Sequence, residues 1–168
     1  MPQLVLRKIE PGDKIARFSL GNAEYTPLKT FLKKQAKHYH QQNLTMTYVL
    51  ADLEDARVFG YVSLVCSQVD LEFKKPVDNF PFNYPCIKIV RLAIDNELKG
   101  QKLGTELVNW SISIAKEKIM QHVGCRFIVV DSKQSAIKFY ERCGFTLLDT
   151  LSNKEANHPL LYIDLHKI

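Results

Sequence analysis

The stretch IKIVRLAIDNELKGQKLGTELVNWSISIAK (87–116), followed by CRFIVVDSKQSAIKFYERCGF (125–145), decides how this chain is read. IKIVRLAI is a strand with a mostly buried pattern, rich in the β-branched residues that suit a pleated sheet. Beyond it, Leu103, Leu107, Val108, Trp110, Ile112, Ile114, Ala115 and Ile119 give a long helix with a wide apolar face, expected over 103–122 and closing near Gly124. CRFIVVD (125–131) is nearly continuous in apolar residues, as in the middle of a sheet. Strand, helix and strand in that order make a right-handed βαβ unit. SAIKFYERCGF (135–145) then reads as a short helix with Gly144 as its C-terminal cap.

Between the first strand and the long helix lies LKGQKLGTELV (98–108). A helix start exposes unpaired N–H groups and a partial positive charge, so a loop entering it can cradle a phosphate. The candidate donors are the amides of Gln101 to Thr105. The spacing is neither that of a P-loop nor that of a dinucleotide fingerprint. Taken alone, Gly100 and Gly104 fit a tight turn with a helix-packing glycine equally well.

Working outward, LVLRKI (4–9) is a first strand, ended by Pro11-Gly12. Thr26-Pro27 starts a helix, with a capping hydroxyl and then proline in the first turn. Leu28, Phe31, Leu32, Gln35, Ala36 and Tyr39 mark its inner face; Lys29, Lys33, Lys34, Lys37 and His40 mark the other. TMTYVLAD (45–52) and RVFGYVSLVCSQV (57–69) form a hairpin. DLEFKKPVDNFPFNYP (70–85) is an irregular stretch long enough to be a functional loop. FTLLD and LLYIDLH supply the last strands. The fold class is therefore α/β (α+β), a mixed central sheet of six to seven strands flanked by about four helices, in one domain over 1–168.

Composition sets the bounds. In 168 residues, 46% are hydrophobic and 24% charged, which suits a folded domain with a sizeable core. No apolar run reaches the roughly 18 residues that span a bilayer. MPQLVLRKIEPGDK lacks a long apolar core and a small-residue cleavage site, so no signal peptide is expected and the cytoplasm is the expected compartment. The net charge of +5 favours anionic partners without naming one. Cys66, Cys86, Cys125 and Cys143 show no C-x-x-C pair and no His at ligand spacing, so no metal is expected.

The run 86–148 resembles the GNAT superfamily of acyl-CoA-dependent N-acyltransferases. There a hydrophobic strand ending in L-A-[VI]-D leads into R/Q-x-x-G-x-G/A, which binds the coenzyme pyrophosphate, and a later A-x-x-F-Y-x-x-x-G-F helix carries a tyrosine near the thioester sulfur. The phosphate motif falls on Lys99-Gly100-Gln101-Lys102-Leu103-Gly104, followed by Thr105. The resemblance implies acetyl-CoA as co-substrate, the amides of Leu92 and Ile94 on the thioester carbonyl, and Tyr140 as general acid. On composition alone Tyr140 would be a core tyrosine. Lys99 replaces the usual Arg or Gln, Lys133 stands near a frequent asparagine, and Lys102 replaces the first motif glycine. The Lys102 amide is expected to donate if its φ is negative, with its ammonium adding charge beside a phosphate. Many members place a Glu on the central strand where this chain has Lys88 and Arg91, so no general base is named. Asp95 and Glu97 are expected as turn and capping carboxylates, and Asp131 either orients an amine or caps the next helix.

FSLGNAEYTPLKTFLKKQAKHYHQQNLTMTYVLAD (18–52) is similar to a GNAT branch with the pattern F-x-C-G-x-x-x-L-[DN]-x-[FW]-L, then a helix and a T-[YF]-V strand. That branch includes toxins that acetylate the α-amino group of aminoacyl-tRNA and are silenced by a ribbon-helix-helix antitoxin. Phe18, Gly21, Leu28, Phe31, Leu32, Thr47, Tyr48 and Val49 fit, whereas Leu20 replaces Cys and Lys29 replaces Asp or Asn. The resemblance implies a charged-tRNA substrate, an antitoxin partner and Arg91, Lys29 and Lys33 as substrate-binding cations. Acetylation of a small or protein amine and a non-catalytic acyl-CoA-binding role stay open, as does a homodimer.

Overall fold

The structure, a computed structural model, describes residues 1–72 and 74–168. Phe73, inside the irregular stretch 70–85, lies outside the described residues. Seven strands form a mixed sheet in the order β1-β2-β3-β4-β5-β7-β6. The chain divides into two compact units, residues 1–65 with 90–108 and residues 66–89 with 109–168.

In the first unit, β1 (Leu4–Lys8) runs antiparallel to β2 (Met46–Asp52), with Leu4 opposite Asp52 and Lys8 opposite Tyr48. β2 and the start of β3 (Val58–Val69) form the expected hairpin, with a register shift between Leu50 and Ala51. Its turn is held by side chains: Glu54 N–H donates to Asp52 Oδ1 and Arg57 N–H to Asp55 Oδ1. At Gly60, opposite Leu50, an added Cβ would lie 2.7 Å from Ile94 Cδ1, so the tip of that side chain would have to shift. The helix expected from Thr26 is two, α1 (Thr26–Lys34) and α2 (Ala36–Gln41), broken where Gln35 leaves helical geometry at φ −125°. Thr26 is not a cap. It is already helical, because a 3-10 turn over Ala23–Tyr25, capped by Asn22 Oδ1, feeds straight into α1. Phe31, Leu32 and Ala36 bury against Val49, Tyr61 and Phe18 in the core of this unit.

In the second unit, the first part of β4 (Tyr84–Ile94) and β5 (Phe127–Asp131) pair in parallel from Cys86–Phe127 to Ile89–Val130. β7 (Leu160–Asp164) is antiparallel to β5 and to the short β6 (Thr146–Leu147). Tyr84, Phe127 and Tyr162 pack edge to face at 5.5 and 6.0 Å in its core. α3 (Leu103–Ile114) is shorter than the 103–122 expected, because it passes into a π turn over Ala115–Ile119. α4 (Ile137–Arg142) closes at Gly144, whose φ of +100° is the left-handed cap expected of it. α5 (Leu151–Glu155) was not expected. Thr150 Oγ1 accepts from Asn153 N–H at 3.1 Å, and this cap cuts FTLLD down to the two residues of β6.

Arg126 Nε and Nη2 grip Asp164 Oδ1 and Oδ2 at 2.7 and 2.9 Å, tying the start of β5 to the end of β7. Burial alone would raise the Asp164 carboxyl, but the hydrogen bonds from Arg126 and the His166 N–H bring it below its usual range. A depressed carboxylate contributes stability that is present above its unfolded pKa, near 3.9, and is lost as pH falls through the folded value. Asp164→Asn should therefore cost about 1–3 kcal/mol at pH 7, with the difference from wild type shrinking below about pH 4. Thermal melts across pH check this; an unchanged midpoint at pH 7 would contradict it.

Candidate active site

The site begins where β4 stops. Asp95 N–H donates to Phe59 O at 2.7 Å, toward β3. Main-chain N–H groups alternate sides along an extended strand, so those of Leu92 and Ile94 face away from β3. Asp95, 1% exposed, receives the N–H groups of Ser19 and Glu97, each at 2.9 Å, and so caps the 3-10 turn Asn96–Leu98. Glu97 does not cap: its Oε1 accepts from Arg57 Nη2 at 2.8 Å. Next come Lys99 (extended), Gly100 at φ +86° and Lys102 at φ +62°, and α3 starts at Leu103.

Lys102 thus does not meet the condition of a negative φ under which its amide is expected to donate. The chain must reverse between Leu98 and Leu103 to send a strand end into a helix. Gly100 takes one left-handed position at no steric cost, and Lys102 takes the other at about 1–2 kcal/mol. The amide is not forfeited by this. A left-handed residue followed by a right-handed one is a nest, whose successive N–H groups converge on an anion. The first-turn amides of Leu103, Gly104 and Thr105 have no intrahelical acceptor. Lys99, Gly100, Gln101 and Lys102 are exposed, while Gly104 and Thr105 are half-buried.

The three substrate cations have different fates. The Arg91 guanidinium lies 5.1 Å from the Phe31 ring centroid, and its Nη1 donates to Val90 O. Beside it, burial raises the Tyr61 phenol and the Arg91 charge offsets part of that rise. Lys33 donates to Ala16 O at 2.8 Å, and Lys37 likewise to Pro11 O and Asp13 O, so both ammoniums tie α1 and α2 to the segment before them. Lys29 is half-buried and lines a pocket of about 230 Å³ with Ser19, Gly21, Tyr25 and Thr26. Among the described residues it forms no hydrogen bond or ion pair.

In the second unit, Tyr140 on α4 is 7% exposed and meets Phe139 and Phe145 edge-on at 5.0 and 5.6 Å. Burial, with Cys143 adding to it, pushes the phenol up, so it keeps its proton through the neutral range. Lys133 is half-buried and precedes the 3-10 turn Gln134–Ala136; its carbonyl accepts from Ser132 Oγ at 2.7 Å. Asp131 does not cap the next turn, whose N-cap position is Lys133; its carboxylate forms an ion pair with Lys88. Of the loop aromatics, Tyr84 is core, Phe80 stacks on it at 5.2 Å, and Phe82 is 72% exposed. Cys86 and Cys125 are buried free thiols, burial pushing Cys86 up to about 11, and Cys66 is exposed.

A strand that ends in a loop at a helix start, in a mixed sheet, is an architecture suited to holding an anionic ligand. The chain belongs to the acetyltransferase (GNAT) family, whose profile matches residues 16–145. It is 28% identical over 147 residues to the tRNA-acetylating toxin of Mycobacterium tuberculosis (strain ATCC 25618 / H37Rv), covering 86% of this chain and 85% of that one. A Tyr-to-Phe variant of KacT superposes with TM-score 0.84 at 26% identity, over 98% of this chain and 96% of that one. AtaT complexed with acetyl-methionyl-tRNAfMet superposes with TM-score 0.83 at 23% identity, over 98% and 96%. AtaT is also seen bound to the C-terminus of the antitoxin AtaR and to acetyl-CoA.

Lys102→Gly removes the left-handed strain and adds chain entropy in the unfolded state, so the net stability change should lie between zero and a gain of about 1 kcal/mol. If the backbone amide holds the anion, acetyl-CoA affinity measured by calorimetry will equal or exceed that of wild type. A large loss would show that the ammonium itself makes the contact.

Proposed function

We propose that this chain is a single N-acetyltransferase domain over 1–168 that moves acetyl from acetyl-CoA to the α-amino group of aminoacyl-tRNA, as a cytoplasmic toxin held in check by a ribbon-helix-helix antitoxin. The observation that carries the reading is the similarity over 86% of the chain to a tRNA-acetylating toxin. The loop geometry supports it: Lys99, Gly100, Gln101, Lys102, Gly104 and Thr105 offer a nest, a helix start and two ammoniums to a pyrophosphate.

The chemistry follows from these residues. A neutral amine attacks the thioester carbonyl, and the amides of Leu92 and Ile94, turned away from β3, hold the oxyanion that forms. As the C–S bond breaks, Tyr140 gives its proton to the departing thiolate, the form its burial maintains. The amine loses its proton to water. Lys88 and Arg91 on the strand are cationic and occupied, by Asp131 and by the Phe31 face, so neither acts as base. Lys133 adds charge at the coenzyme, and Arg91, Lys29 and Lys33 at the RNA; of these Lys29 has an unengaged ammonium.

Leu20 and Lys29, which depart from the toxin branch pattern, favour as second reading a stand-alone N-acetyltransferase of a small or protein amine. Charged tRNA separates the two. Acetylation of it should fall steeply with salt, because the substrate is held by its phosphates. Activity on small amines with none on charged tRNA would establish the second reading. Lys29→Gln should make the salt dependence of tRNA binding shallower by about 0.7–0.9 in log–log slope, one phosphate contact, and Lys34→Gln should change it less. Tyr140→Phe should lower turnover by about 10²-fold with acetyl-CoA affinity kept, and weakened binding at unchanged turnover would rule out the general-acid role.

A further inference from the structure

Arg57 precedes the buried run VFGYVSL at the head of β3 and is itself only 8% exposed. Its guanidinium lies 4.3 Å from the Phe59 ring centroid, donates to Glu97 Oε1 at 2.8 Å, and stands 4.0 Å from Asp95 Oδ2. Asp95 in turn takes the N–H groups of Ser19 and Glu97, while Asn96 N–H donates to Ser19 O at 2.8 Å. Gly21 presses so closely on Asn96 that an added Cβ would sit 3.0 Å from its side-chain amide. Three segments, 19–21, 57–59 and 95–97, therefore meet at one guanidinium and one carboxylate.

The pairing of Arg57 with Asp95 is out of reach of solvent screening, unlike an exposed ion pair. Arg57 Nε is buried without an acceptor among the described residues, an unfavourable state for a donor. The fold keeps the guanidinium on Glu97 in spite of it. What lies directly after the bracket is Lys99–Gly104. The side chains of Lys99, Gln101 and Lys102 hydrogen-bond to nothing among the described residues. The loop is therefore held from its two ends, by α3 on one side and by the Asp95–Leu98 turn on the other.

We infer that Arg57 is a positioning residue for the coenzyme loop: acting through Glu97 and Asp95, it fixes the turn from which Lys99–Gly104 springs. The inference rests on reading that loop as the acetyl-CoA pyrophosphate site. Glu97 is more than half exposed on its side chain, so Glu97→Gln takes the charge out of the bracket, leaving a neutral oxygen as acceptor, without opening the core.

Titration calorimetry and steady-state kinetics with acetyl-CoA test it, with thermal melts run in parallel. Glu97→Gln should raise the acetyl-CoA Kd and KM by about fivefold or more, while kcat at saturating coenzyme stays within about twofold. Arg57→Gln should do the same or more, and Arg57→Lys should recover part of the loss. A folded Glu97→Gln variant that binds acetyl-CoA like wild type overturns the inference, whatever Arg57→Gln does to folding. So does a loss of kcat at unchanged KM. Wild-type protein that shows no saturable binding of acetyl-CoA would overturn the loop reading and this inference together, whereas normal wild-type binding with unaffected variants sinks the positioning role alone.

Discussion

Because β4 and β5 run parallel, the chain cannot turn straight from one into the other; it must cross over, and it uses α3 to do so. That requirement generates the rest of the site. A strand end has to be converted into a helix start within a few residues, so backbone donors without partners gather at the carboxyl end of β4. The reversal also explains the two left-handed residues, Gly100 and Lys102. The supply of open backbone donors in the loop is a by-product of connectivity, with two lysines beside it.

The count of 23 lysines and arginines overstates the cations free to meet a partner. Arg7 is taken up by Asp13, Arg126 by Asp164, Lys88 by Asp131 and Arg57 by Glu97. Lys33 and Lys37 are spent on backbone carbonyls. Among the described residues, what remains unengaged near the loop and on α1 includes Lys29, Lys99 and Lys102. A cationic sequence and a cationic surface are different things, because ammonium groups are also the simplest way to satisfy carbonyls at the edge of a core.

Much of this was legible in the residues. The β4–α3–β5 unit could be read because its periodicity switches cleanly from strand to helix and back, and its parallel pairing follows from the crossover. The hairpin of β2 and β3 and the cap at Gly144 follow from local turn chemistry. Three things were not legible. The break at Gln35 and the π turn leave no mark in the apolar spacing: Leu28, Phe31, Leu32 and Ala36 run on at helical steps through the first, and Ile112, Ala115 and Ile119 through the second. α5 rests on a single cap, Thr150, within a run that otherwise reads as strand. The Arg57–Asp95–Glu97 bracket joins positions some forty residues apart. A charged residue before a buried run signals only that it has a partner, and the fold alone names which one.

The π turn at Ala115–Ile119 carries a consequence of its own. A π turn winds one residue more than an α turn through its backbone ring, so it acts as a built-in insertion that shifts the phase of everything after it. Lys116, the second residue of the turn, donates from Nζ to the Leu165 carbonyl at 3.0 Å. One extra residue at 3.6 per turn is roughly a quarter turn of phase, and it falls on the residues after Ile119. The extra residue therefore works as an indexing notch: it lets the chain keep one phase at the loop end and a different one beyond Ile119.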